Sequence, residues 1–215
     1  MVDFRLFEEP EVNIKEILRY AGVKGDGAEE FSEDIKKCLD ELSGKLTYKV
    51  CFTELCFNDE LISGWIRESK NLSKNLDGCK SIILFAATVG LELDRIISKY
   101  SKLSPSKAVL FQAIGAERIE ALCNSFNGYI VKEFEKKNLF PRPRFSPGYG
   151  DFSLTAQKDI FKRLDCNRKI GLFLNDSMLM SPSKSVTAVI GFSEDVCKVS
   201  GGCESCKKTD CEFRR

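Results

Sequence analysis

The sequence predicts an α+β domain in which an antiparallel β-sheet is flanked by helices. Residues 80–88 are a continuous apolar run, too short to span a membrane and typical of a central strand. Residues 186–192 alternate in side-chain character, as a strand with two different faces does. Residues 106–137 have the apolar spacing of a long helix. Because strands and helices mix without a steady βαβ order, an antiparallel sheet is favoured over a doubly wound one.

The first third of the chain is predicted to contain two helices and a strand. Apolar residues recur at helical spacing over residues 11–22 and again over residues 29–43. The buried stripe of the second helix would consist of Phe31, Ile35, Cys38, Leu39 and Leu42. Residues 47–55 are β-branched and aromatic and predict a strand. Residues 57–77 are ambiguous between a short helix and an edge strand.

The centre of the chain is predicted to be helical. A helix over Leu91 to Ile97 follows the central strand, and Ser104-Pro105 suit the N-cap and first position of the next helix. One face of that long helix would carry Phe111, Ile114, Ile119, Leu122, Phe126, Ile130 and Phe134. A second face would carry Glu117, Glu120, Asn124 and Asn127 at three- and four-residue steps. This spacing by itself favours a solvated surface.

The last third is predicted to be a helix followed by two strands. The helix covers residues 153–165, and the strands cover residues 169–174 and 186–192. Ser181-Pro182-Ser183-Lys184 has the composition of a turn between the strands, with Lys184 as its exposed charge.

Composition limits the classes of function. The 215 residues carry a net charge of +1, which favours neither nucleic acid nor an anionic membrane as a partner. An N-terminal targeting signal and an apolar run near 20 residues are both missing from the sequence, which predicts a cytoplasmic protein. Histidine is absent, so histidine-based triads and histidine-ligated zinc or haem are excluded within this chain.

Cysteines are frequent and fall into two groups. Six are scattered among apolar neighbours and are predicted to be small buried side chains in a reducing compartment: Cys38, Cys51, Cys56, Cys79, Cys123 and Cys166. The other four, Cys197, Cys203, Cys206 and Cys211, are crowded at the C-terminus. Four thiolates with one C-x-x-C pair could hold zinc or an iron–sulfur cluster, and a disulfide or free thiols are the alternatives.

A loop rich in proline and glycine follows the long helix. Arg144-Phe145-Ser146-Pro147-Gly148-Tyr149-Gly150-Asp151 brings one guanidinium, one phenol and a run of main-chain N–H groups together. Proline restricts φ and glycine permits positive φ, so this stretch is a shaped loop. It is either a turn between two elements or a clamp for an anionic, partly flat small molecule, because the planar fork of Arg144 suits a carboxylate.

Four motifs, in order along the chain, resemble one known family. They are residues 78–90, Ala113-Ile114-Gly115 with Glu120-Ala121-Leu122, the Arg-x-x-Pro-Gly-Tyr motif that begins at Arg144, and residues 181–187. Together they resemble the activation domain of cobalamin-dependent methionine synthase over roughly residues 10 to 195. The resemblance implies the same α+β fold. It divides the chain into an S-adenosylmethionine-binding activation domain, residues 1–195, and a cysteine-rich tail, residues 196–215.

The resemblance also implies a set of ligand contacts. Arg144 would pair with the methionine carboxylate, main-chain groups at Ser146 and Gly148 would bond the adenine or ribose, and Tyr149 would cover the ligand. Glu120 would take the ribose or balance the ligand's positive charge, and Lys184 and Ser185 are further candidates. Two positions of the family have no identifiable counterpart: an acidic one near the N-terminus and a tyrosine after Ser185.

The function implied is that of a stand-alone reactivation module in methionine biosynthesis, an accessory component of a methyltransferase. It would support the reductive methylation of cob(II)alamin on methionine synthase or another corrinoid protein. Because the cobalamin-binding histidine motif is missing, cobalamin (vitamin B12) would be carried by that partner, and an electron donor such as flavodoxin or ferredoxin would supply the electron. The alternatives are a redox or metal-binding accessory protein that works through the C-terminal cysteines, and a docking scaffold without ligand.

Overall fold

The centre of the molecule is a curled antiparallel sheet. The computed structural model describes residues 1–23 and 28–196. Within them, five strands pair in the order β1-β2-β3-β7-β4, and every neighbouring pair is antiparallel. The strands are β1 (Asp3–Phe7), β2 (Tyr48–Cys56), β3 (Cys79–Thr88), β4 (Phe140–Pro141) and β7 (Ser185–Ser193). A separate short hairpin is formed by β5 (Phe173–Leu174) and β6 (Met180–Ser181).

The central part of strand β3 is apolar because both of its faces are covered. Ile83, Phe85 and Ala87 enter one hydrophobic core. Their neighbours Ile82, Leu84 and Ala86 enter the other core on the opposite face of the sheet. A strand buried on both sides loses the usual apolar and polar alternation, and this explains the run at residues 80–88.

Helices cover the first face of the sheet. They are α1 (Ile14–Tyr20), α2 (Ala28–Leu42), α5 (Glu92–Leu103) and α6 (Pro105–Glu135). Helix α6 is 31 residues long and contacts α1, α2, α5 and the sheet, so it organises this layer. All seven apolar side chains predicted on its inner face are buried. Ser104 is its N-cap and Pro105 its first residue, as predicted.

The opposite face is covered by shorter helices: α3 (Glu60–Glu68), α4 (Lys70–Leu76), α7 (Ala156–Leu164) and α8 (Cys166–Ile170). Residues 57–77, which were ambiguous in the sequence, therefore form two helices. Ser69 separates them, because its hydroxyl accepts from the Leu72 N–H and caps α4. The α+β fold with helices on both sides of an antiparallel sheet is confirmed.

Several local predictions were wrong. Residues 166–170 form α8, and only Phe173–Leu174 of the predicted strand at 169–174 is extended, because Gly171 ends the helix with φ +68°. Helix α1 begins at Ile14, where Asn13 caps it, and not at residue 11. Phe31 is 37% exposed instead of buried. Strand β1 was missed because it is an edge strand with few buried side chains.

Five of the six scattered cysteines are buried as predicted, and Cys56 is exposed. Burial raises the pKa of Cys38 to about 11 and that of Cys123 to about 12. The Cys166 thiol contacts Cys51, and this hydrogen bond, together with burial, raises the pKa of Cys166. The thiols of Cys38, Cys123 and Cys166 are therefore protonated at neutral pH. None of the helices in the described part of the chain has the length and apolar character needed to cross a bilayer.

Candidate functional site

The loop that follows α6 begins as an extension of the sheet and then turns away from it. Arg142 N–H donates to the Gly191 carbonyl at 2.7 Å, and Phe145 exchanges two 2.9 Å bonds with Val189. The chain then turns at Pro147. Gly148 (φ +92°) and Gly150 (φ +56°) have conformations that other residues rarely adopt. The part of β7 that precedes Val189 in the chain therefore has no strand partner on this side among the described residues.

The far end of the loop is tied to helix α4 by Asp151. Its carboxylate accepts from the Ser69 hydroxyl at 2.5 Å, the Lys70 N–H at 2.9 Å and the Asn71 N–H at 3.1 Å. The Ser69 hydrogen bond and the main-chain donors lower the pKa of Asp151. Gly148 N–H donates to the Phe152 carbonyl at 2.8 Å and closes the turn. The loop is therefore held at both ends and presents a defined surface.

A cavity of about 820 Å³ lies between this loop, α4, α7 and the open end of β7. A volume of this size suits a small-molecule ligand. Its wall includes Arg144, Ser146 and Tyr149 from the loop, Glu120 from α6 and Ser185 from β7. The structure therefore brings most of the residues that the sequence singled out into one place.

Arg144 and Glu120 form an ion pair at this cavity. Arg144 Nη2 lies 2.5 Å from Glu120 Oε2, and the two side chains are 20% and 36% exposed. Arg144 Nη1 is buried and has no hydrogen-bond partner within residues 1–23 and 28–196. A buried guanidinium normally has its N–H groups paired, so this one has unused capacity for an acceptor.

Other predicted residues contribute less directly. Gly148 shapes the loop backbone, and its N–H group is already bonded to Phe152. The Ser185 hydroxyl lies 2.8 Å from both Thr88 Oγ1 and the Pro182 carbonyl. Lys184 does not line this cavity. Its side chain packs over Gly115 on α6, and burial lowers its pKa.

Sequence reasoning missed part of the cavity. Asn75, Gln157 and Thr187 line it from α4, α7 and β7, and each has a buried side-chain oxygen with no partner among the residues that the structure describes. No spacing rule links these positions, because they meet only through the tertiary fold.

The second polar line on α6 also differs from its prediction. Glu117 is buried and forms an ion pair with Arg118, whose Nε lies 2.6 Å from Glu117 Oε2. A solvated face was therefore the wrong interpretation for Glu117. Glu120, one turn further along, is partly open to the cavity.

The described part of the chain contains no group of three or more histidine, cysteine, aspartate or glutamate side chains arranged to hold a metal ion. Cys197, Cys203, Cys206 and Cys211 lie outside the described residues, and the zinc or iron–sulfur site remains a prediction.

Fold and site together define an α+β domain with a loop-walled cavity beside the Arg144–Glu120 ion pair. A solved structure described as "Crystal Structure of the MetH Reactivation Domain bound to AdoHcy" has this fold. The TM-score is 0.64 at 16% identity, over 93% of this chain and 81% of that chain. The resemblance found in the sequence is thus confirmed at the level of the fold. No protein-family model and no curated protein sequence matches the chain.

Proposed function

We propose that this protein binds S-adenosylmethionine in the cavity beside Arg144 and acts as a reactivation module for a corrinoid methyltransferase. One observation carries the proposal: Arg144 Nη1, a buried atom of a partly exposed side chain, has no hydrogen-bond partner among the described residues, and Arg144 lines a cavity of about 820 Å³ at the site of the Arg-x-x-Pro-Gly-Tyr motif. The protein that shares its fold was crystallised with S-adenosylhomocysteine, the product of methyl transfer from this ligand.

The charges at the site suit an amino-acid group. Arg144 would hold the methionine carboxylate through Nη1, and a charge-assisted bond of this kind is among the stronger ones in proteins. Glu120 would face the ligand's positive charges, since it lines the cavity beside Arg144. When the ligand is bound, Glu120 would remain close both to the Arg144 guanidinium and to the positive charge of the ligand.

The loop would position the rest of the ligand. Ser146 and Tyr149 line the cavity, and the exposed Tyr149 ring is free to cover a bound molecule. Gly148 would act through the backbone conformation that it permits, because its N–H group is bonded to Phe152. The tether from Asp151 to α4 would hold this surface in place when the ligand is absent.

Cobalamin would be carried by a partner, because no histidine is available in this chain to ligate it. One electron from flavodoxin, ferredoxin or a similar donor and one methyl group from S-adenosylmethionine would convert cob(II)alamin to methylcobalamin. The sulfonium would keep the electron pair of the broken carbon–sulfur bond as S-adenosylhomocysteine leaves. The role of this chain would be to bind the sulfonium compound and present it to the partner.

The test is titration calorimetry of the full chain with S-adenosylmethionine, alone and with a purified corrinoid protein, followed by pull-down of corrinoid proteins with and without the ligand. Binding in either setting and ligand-dependent capture support the proposal. If no heat is measured in either setting, the proposal fails and a ligand-free docking scaffold becomes the better account. Visible absorbance and metal analysis of anaerobically purified protein test the remaining alternative, a redox or metal-binding role for the cysteine tail.

A further inference from the structure

Strand β1 is an edge of the sheet, and its outer side is open. It pairs with β2 on one side, and the described part of the chain places no strand on the other. The four residues from Asp3 to Leu6 are all exposed. The outward main-chain N–H and C=O groups of such a strand can pair with a further strand. β1 therefore offers a surface for strand addition, at the edge of the sheet opposite to β4.

The two faces of β1 differ in chemistry. Phe4 and Leu6 lie two residues apart and so share one face, where they are 45% and 63% exposed. Asp3 and Arg5 point to the other face, on which the Arg5 guanidinium lies 3.8 Å from the centre of the Tyr129 ring. β1 thus carries exposed apolar side chains on one face and one charge of each sign on the other.

We propose that β1 pairs with β1 of a second copy of this chain, antiparallel and about a twofold axis at Phe4. Phe4 would then face its own counterpart. Asp3 of each copy would face Arg5 of the other, and Val2 would face Leu6 on the apolar side. The two five-stranded sheets would join into one continuous sheet. This pairing does not depend on the proposed function, because the cavity lies near the opposite edge of the sheet.

Charge selects this register over its neighbours. Opposite charges directly across an antiparallel pair stabilise it, and like charges destabilise it. An axis one residue away, at Asp3 or at Arg5, would set two aspartates or two arginines face to face. An axis between two residues would place the outward main-chain groups of one strand against inward groups of the other, so it is excluded. Charged residues often protect an edge strand from pairing, but on β1 they oppose only the shifted registers.

The expected dimer is weak. The pairing would cover the exposed side chains of Phe4 and Leu6 and the open main-chain groups of one short strand. This surface is well below the roughly 1,200–2,000 Å² that stable interfaces bury, so we expect a dissociation constant on the order of 10–100 μM.

The experiment is sedimentation velocity of the full chain across and around this concentration range. The samples are the parent, Asp3→Arg, Arg5→Asp and an equimolar mixture of these two variants. Each single reversal sets like charges opposite each other at both pairs, so self-association should weaken at least about tenfold. In the mixture, two positive charges on one copy face two negative charges on the other, so heterodimers should form as readily as the parent dimer. Arg95→Glu, which reverses an exposed charge on α5, is the control and should dimerise as the parent does.

Urea denaturation of the same variants separates pairing from folding. Arg5→Asp also removes the contact with Tyr129, whereas Asp3→Arg leaves it in place and so tests the pairing even if Arg5→Asp is less stable. Recovery of association in the mixture requires two folded copies and would support the inference. A parent that stays monomeric across the range would overturn it. So would a parent dimer that Asp3→Arg leaves unchanged, or a mixture of folded variants that associates no better than either variant alone.

Discussion

Two arginine–glutamate pairs have their glutamates, Glu117 and Glu120, one turn apart on helix α6. The pairs differ in how many of the arginine N–H groups have hydrogen-bond partners. Glu117 and Arg118 are 4% and 0% exposed. All three nitrogens of Arg118 donate, to Glu117 and to the carbonyls of Pro10 and Glu11 at 2.6–2.7 Å. Arg144 instead donates only its Nη2 to Glu120, and its buried Nη1 is unpaired within the described residues.

The difference separates a structural pair from a binding pair. Arg118 and Glu117 hold the chain before α1 against α6, and Glu117 Oε1 also accepts from the Asn13 N–H at 3.0 Å. Most of the hydrogen-bonding groups of that pair are therefore used within the protein. In the pair at the cavity, Arg144 Nη1 has no partner among the described residues and the cavity lies beside it, so an acceptor on a bound ligand would pair with this donor. The variants below test this distinction.

The largest effect is expected from Arg118→Ala. It leaves the Glu117 carboxylate buried without its counter-charge, so the free energy of unfolding should fall by about 3–5 kcal/mol. Urea denaturation measures this change. Arg95→Ala, which removes an exposed pair with Glu92 on α5, is the control and should cost less than about 1 kcal/mol. Equal effects of the two substitutions would contradict the structural role of the buried pair.

Arg144→Ala should weaken ligand binding strongly and change the free energy of unfolding little, the reverse of Arg118→Ala. Loss of the charge-assisted bond to the ligand carboxylate is expected to weaken S-adenosylmethionine binding by about 1.5–3 kcal/mol, or ten- to a hundredfold. The free energy of unfolding should change by less than about 1 kcal/mol, because the pair is partly exposed. Calorimetry and urea denaturation together measure both quantities.

Two milder variants sharpen the same result. Arg144→Lys should restore only part of the affinity, since a point charge cannot replace a planar fork. Glu120→Gln should cost less than Arg144→Ala, as it keeps the shape and loses the charge. If Arg144→Ala lowers stability as much as Arg118→Ala does, the two pairs do not differ in the way that their geometry indicates.

Gly148→Ala tests the loop on which the binding pair depends. With φ at +92°, a side chain strains the backbone, and the added Cβ would lie 3.3 Å from Leu154 Cδ1, so we expect a cost of about 1–3 kcal/mol in stability together with weaker ligand binding. Gly128→Ala on the exposed side of α6 is the matched control. It should stabilise by about 0.5–1 kcal/mol, because an added Cβ meets nothing there. A Gly148→Ala protein as stable as its parent would argue against a shaped loop.

The smallest effect on ligand binding is expected from Ser69→Ala, which removes the first contributor to the lowered pKa of Asp151 together with the N-cap hydroxyl of α4. Since this pKa is lowered in the folded state, the tether is fully present above the ordinary aspartate value of about 3.9 and is lost as pH falls through the lowered value. Carboxyl titration by NMR should show the pKa of Asp151 moving up toward the ordinary value in Ser69→Ala. Ligand affinity at pH 7 should fall only slightly. An unchanged pKa would mean that the tether does not depend on Ser69.

Much of the fold was determined by the sequence alone, because local patterns report local environments. The apolar run at residues 80–88 predicted a central strand, and the helical spacing at 106–137 predicted α6. In both elements the spacing of the apolar side chains matches the faces that are buried. The proline and glycine residues around Arg144 predicted a shaped loop because each of them limits or extends the backbone φ angle locally. The four motifs, in their order along the chain, indicated the resemblance to the activation domain of methionine synthase, and the shared fold supports it.

Only the tertiary structure decided which polar groups are paired. Consecutive residues on a helix do not face each other, so nothing in the spacing predicted the Glu117–Arg118 pair. The segment before α1 holds both side chains, because the Pro10 and Glu11 carbonyls accept from Arg118 and the Asn13 N–H donates to Glu117. Asn75, Gln157 and Thr187 have side-chain oxygens without a partner in the described part of the chain, and these oxygens come from three separate elements and meet at one cavity. Pairing and burial depend on contacts between residues far apart in sequence, which local propensity and periodicity do not encode.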